Sequence, residues 1–114
     1  MTFKVHMLAF MTKGTIRNVE VPDDELIERG TGSSQVLDLV FKYGQNENST
    51  NDQHLPSVSV GDVIELPSGE YHMVRPSGFL TISQSEFDGL PDKIGSLAYW
   101  NIEDLLKHKE RKNG

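Results

Sequence analysis

The chain has 114 residues, a net charge of −6 and no cysteine. That length suits one domain with a single core, and the cysteine count excludes disulfides and thiolate metal sites. The acidic body lacks the basic footprint that phosphate binding needs, so nucleic acid is a disfavoured partner.

Lys4 to Phe10 is a short apolar run bounded by Met11-Thr12-Lys13-Gly14. It is too short for a signal-peptide core and is followed by no small-residue cleavage site. No stretch of the chain approaches the roughly 20 apolar residues of a membrane span, so a cytoplasmic protein without membrane contact is expected. Thr15 to Val21, "TIRNVEV", is rich in β-branched residues, with Ile16, Asn18 and Glu20 alternating against Arg17, Val19 and Val21. Gly14 supplies the left-handed position of a turn, so the two runs predict a hairpin. In the first strand Val5, Met7 and Ala9 share one face, and His6, Leu8 and Phe10 the other. Both faces are largely apolar, which predicts a central strand covered on both sides. The cover is either a helix or a second subunit, so a homodimer is one of two expectations.

Pro22-Asp23-Asp24-Glu25 ends the strand, and an Asp there can cap a short helical turn through Glu28. Gly30-Thr31-Gly32 breaks it. Ser33 or Ser34 then opens a central helix, with Val36, Leu37, Val40, Phe41 and Tyr43 on one face and Gly44 as its stop. Residues Gln45 to His54 carry no apolar side chain and read as a surface loop. Beyond them Val58 and Val60 alternate with Ser57 and Ser59, Gly61-Asp62 interrupts, and Val63 to Leu66 resumes the alternation. Leu66-Pro67-Ser68-Gly69 and Arg75-Pro76-Ser77-Gly78 both suit type I turns, Pro second and Gly fourth. With Phe79 to Ile82 they define a three-stranded meander. Ser83 and Glu86 have capping-box spacing, and Phe87 and Leu90 would pack back on the sheet. Asn101 looks like the cap of a C-terminal helix whose end, from residue 107, frays. The sum is an α+β fold: about five mostly antiparallel strands in a curved sheet or partly open barrel, a central helix and a C-terminal helix.

Chemistry-bearing patterns are scarce. There is no phosphate-cradling Gly loop, zinc spacing or EF-hand loop, and no serine in a nucleophile elbow. The histidines, His6, His54, His72 and His108, are scattered; His6 and His72 could meet across strands, although satisfied strand histidines are the plainer reading. No catalytic residue, metal or cofactor is expected. The polar residues set aside as binding candidates are Ser57, Ser59 and Asp62, beside the long polar loop. An acid next to Gly at a strand entrance more often holds backbone N–H groups than a ligand. Tyr99 and Trp100 form the one compact aromatic pair, read first as core and second as a partner contact.

Three segments resemble the YodL-like family of small proteins from bacteria and their mobile elements. "LDLVFKYGQN", Leu37 to Asn46, is similar to a helix ending in an aromatic followed by a polar Asn turn, which adds Asn46 to the binding candidates. "LPSVSVGDVIEL", Leu55 to Leu66, is similar to the family's "SLSVSDVI" core, with Gly61 where the family tends to have Ser. "YHMVRPSGF", Tyr71 to Phe79, is similar to a strand entering a Gly-Phe turn. The resemblance implies an α+β fold and a phage, plasmid or conjugative-element setting, and no chemistry. The expectation is therefore a non-enzymatic accessory protein that binds a bacterial or element-encoded protein. The alternative is a nucleic-acid-binding barrel, since "VGDVIEL" also resembles strands of PUA- and ASCH-like domains, or an acidic DNA mimic that inhibits a host nuclease.

Overall fold

The computed structural model describes residues 1–29, 33–46 and 55–94. Five strands form one open antiparallel sheet: β1 (Thr2–His6), β2 (Ile16–Glu20), β3 (Val63–Glu65), β4 (Tyr71–Val74) and β5 (Phe79–Ile82), in the order β2-β1-β3-β4-β5. Helices α1 (Asp23–Arg29) and α2 (Ser33–Tyr43) lie between β2 and β3 in the chain, and α3 (Gln84–Asp88) follows β5. The α+β architecture with a hairpin, a meander and a central helix is as expected, and the sheet does not close into a barrel. The expected C-terminal helix lies outside the described residues.

Alternation along the strands divides the core in two. Phe3, Val5, Val19, Val21, Ile64 and Val74 face α2, which buries Leu37, Leu39 and Val40 against them. Leu8, Val63, Met73 and Ile82 face the other way, onto Phe87, Leu90 and Ile94. Val5, Met7 and Ala9 on one expected face and His6 and Leu8 on the other are buried within the chain, whereas Phe10, expected on the second face, is 60% exposed. Leu39, omitted from the expected helix face, is among the most deeply buried side chains. It joins Leu37 and Val40, while Val36, Phe41 and Tyr43 sit half-buried at the margin.

Two expectations need correction. The first strand ends at His6; Met7 to Phe10 is a turn, in which the Met11 N–H donates to Met7 O at 3.2 Å. The segment is apolar because it is wrapped: Met7, Leu8 and Ala9 are buried, and Ile94 N–H donates to Leu8 O at 2.8 Å. The two Pro-Ser-Gly copies also differ. In the first, Gly69 N–H donates to Leu66 O at 2.9 Å and Leu66 N–H to Glu70 O at 2.9 Å, a turn followed by a glycine at φ +92°. In the second, Arg75 N–H donates to Gly78 O at 3.1 Å, which extends the ladder and leaves Pro76-Ser77 as the link. The same letters serve two hairpin geometries because the flanking registers differ.

The capping box is formed: Glu86 N–H donates to Ser83 Oγ at 3.0 Å and Ser83 N–H to Glu86 Oε1 at 2.9 Å. It fixes the start of α3 and so aims Phe87 at the sheet.

Candidate functional site

Four of the sequence-derived candidates converge on the segment that joins α2 to β3. Asn46 N–H donates to Ser57 Oγ at 2.9 Å, and Asn46 Nδ2 donates to Leu55 O at 2.9 Å. Ser59 Oγ donates to Ser57 O at 2.9 Å. Asp62 is fully enclosed; Oδ1 accepts from Ala9 N–H at 2.9 Å and Oδ2 from Ser59 N–H at 2.8 Å. Burial pushes its carboxyl up from 3.8 to about 6, against the opposing pull of these N–H donors and that of Leu8. Asp62 thus joins the Met7–Phe10 turn to the entrance of β3 and presents nothing to a ligand. Tyr99, Trp100, His54 and His108 lie outside the described residues.

The network contains a residue that the sequence reading passed over. Arg17, in phase with Val19 and Val21 on β2, is fully buried. Its Nη1 donates to Asn46 Oδ1 at 2.5 Å, Pro56 O at 3.0 Å and Leu55 O at 3.3 Å. A planar guanidinium can collect several carbonyls at once. Here it anchors both ends of the α2–β3 segment to the sheet. The signal was present in the alternation of "TIRNVEV", which sets Arg17 on the valine face. Gly44 completes the junction: a Cβ there would lie 2.3 Å from Val58 Cγ2 and 3.0 Å from Val40 O. Arg17 Nη1, Asn46, Ser57, Ser59 and Asp62 thus hydrogen-bond one another and the backbone, an arrangement that holds the α2–β3 junction together.

His6 and His72 do not meet; they stand on opposite faces of the sheet. His6 Nε2 lies 2.9 Å from Glu65 Oε1, and its ring packs 4.7 Å from Phe87 and 5.9 Å from Tyr71. Tyr71 stacks on Phe87 at 4.6 Å. Burial, then the charges of Glu65 and Asp88, raise the Tyr71 hydroxyl above its ordinary value, so it stays protonated at neutral pH. This cluster secures α3 to the sheet. His72, on the α2 side, sits with Nδ1 3.0 Å from Thr81 Oγ1. Among the described residues no group of three His, Asp or Glu could hold a metal ion. Nor is any helix there long and apolar enough to cross a membrane.

One concavity is of a different kind. An open groove of about 440 Å³ runs between α1, α2 and the β3–β4 turn, lined by Met1, Phe3, Leu26, Val36, Leu66, Pro67, Ser68 and Glu70. Phe3 and Leu66 are buried floor, Leu26 and Val36 half-buried walls, and Pro67, Ser68 and Glu70 exposed rim. The volume falls within the roughly 300–1,000 Å³ of ordinary binding clefts. None of its residues was a sequence candidate, because the floor residues read as core and the turn as frame. Set against protein-family models, curated proteins and solved structures, the chain finds no match.

Proposed function

We propose that the chain is a non-enzymatic accessory module that binds a bacterial or element-encoded protein, seating a segment of it in the groove between α1, α2 and the β3–β4 turn. The groove carries this reading: its lining side chains are apolar except for Ser68 and Glu70, and it is open to solvent. An apolar cleft with few polar groups suits anchoring side chains of a partner better than it suits bond-making chemistry, which needs convergent acids, bases or nucleophiles. The resemblance over residues 37–82 supports a phage or plasmid setting for that partner.

A photo-crosslinking residue in place of exposed Ser68, at the groove rim, is expected to trap a defined protein in bacterial cells. The same residue in place of exposed Gln84, at the start of α3, serves as the control. Identical adducts from both positions, or none from position 68, would remove the groove from the function.

A further inference from the structure

The groove has one polar end, and its chemistry is uneven. Glu70 lines the groove with its side chain about half exposed (49%). Its contacts are the Ser68 hydroxyl, which donates to Oε2 at 3.2 Å, and His72 Nε2, 4.0 Å from Oε1. The second separation is too long for a hydrogen bond. His72 is buried, with only 4% of its surface exposed, and its Nε2 has no hydrogen-bond partner. Among the described residues no Lys or Arg pairs with Glu70. The ammonium of Met1, which lines the groove, is committed elsewhere, to Glu20 at 2.9 Å and Asp23 at 3.0 Å. Helix α1, which supplies Leu26 to the wall, begins with Asp23, Asp24 and Glu25.

We infer that the groove selects a partner segment that carries apolar side chains beside one lysine or arginine, with Glu70 receiving the cation. This rests on the protein-binding reading above and adds the chemistry of the occupant. Apolar side chains would cover Phe3, Leu26, Val36 and Leu66, which gives contact but little discrimination. The carboxylate, at the edge of a low-dielectric lining and without a cation of its own, supplies the discrimination. An acidic segment meets Glu70 and the α1 acids as like charges.

The test uses the full chain and three synthetic peptides that share two leucines and one isoleucine and differ at one position: arginine, its uncharged isostere citrulline, or glutamate. Binding is followed by chemical-shift changes at the methyl groups of Leu26, Val36 and Leu66. The arginine peptide is expected to bind about fivefold more tightly than the citrulline peptide, and the glutamate peptide least. In Glu70→Gln, an exposed change that leaves the core intact, the arginine advantage should fall to less than about twofold. Equal affinity for the arginine and citrulline peptides, with shifts still in the groove, would overturn the charge selection while leaving a protein-binding groove in place. Absence of groove shifts with all three peptides at millimolar concentration would overturn the selection and count against the binding reading itself.

Discussion

Asp62 makes a prediction that separates electrostatics from hydrogen bonding at one position. Both of its oxygens accept backbone N–H groups, from Ala9 and Ser59, in a fully enclosed site. Replacing Asp62 by Ala leaves two donors without an acceptor, a cost of roughly 1–3 kcal/mol each. Ionisation works against part of that benefit. Burial raises the carboxyl from 3.8 to about 6 in the folded chain. A raised acid contributes stability that is fully present below the unfolded value and is lost as pH rises through the folded one. The full shift corresponds to about 3 kcal/mol, of which about 2 kcal/mol falls between about pH 4 and about pH 7. The stability gap between the native chain and Asp62→Ala should therefore narrow by about 2 kcal/mol over that interval. Urea unfolding of both chains at a series of pH values measures the gap directly, because the titration of other groups cancels in the difference. A flat gap would show that the N–H donors balance burial, and a gap that widens toward neutral pH that they outweigh it; either would refute the raised carboxyl.

Three further outcomes follow from the backbone and the buried cation. Gly44→Ala should destabilise by roughly 1–3 kcal/mol, since its Cβ would overlap Val58 Cγ2 and the tightly packed α2–β3 junction must shift; a thermal melt checks this, and Gly44→Ala with Val58→Ala should recover part of the loss. Gly69→Val and Gly78→Val, at φ +92° and +77° with open space around them, should each cost about 1–2 kcal/mol through the backbone alone. Unchanged melting in both would mean that the turns relax freely. Arg17→Met keeps the bulk but removes the donor to Asn46, Leu55 and Pro56. It should cost roughly 3 kcal/mol and raise amide exchange at Asn46 and Ser57 more than in β4, which hydrogen–deuterium exchange resolves.

The elements that follow local rules were legible from the residues alone. The β-branched alternation of "TIRNVEV", the Ser83–Glu86 box and the positions, though not the shared geometry, of the turns at 67–69 and 76–78 carry their signal within a few positions. What was not legible depends on partners distant in the chain. Met7 to Phe10 has the composition of a strand, and only the wrapping of that segment by Asp62 and Ile94 makes it a turn. Arg17 has the right phase for the core, but a charged residue reads as surface until three carbonyl acceptors from residues 46–56 are in place. The groove was invisible for a similar reason: Phe3, Leu26, Val36 and Leu66 come from β1, α1, α2 and the β3–β4 turn, far apart in the chain.

The position of β1 has a consequence for how the chain reaches this structure. β1 lies between β2 and β3 and pairs with both, Val5 with Arg17 on one side and with Ile64 on the other. The first pairing is local and can form as soon as the hairpin is made; the second must close a long loop that contains both α1 and α2. A lone two-stranded hairpin is marginal in water, and loop closure is the slow part of such topologies. The N-terminal half is therefore expected to remain unconsolidated until Val63 to Glu65 arrives, whereupon β3 supplies the missing edge and draws β4 and β5 into the sheet behind it. β3 is the shortest strand in the sheet, yet it sets when the rest can form.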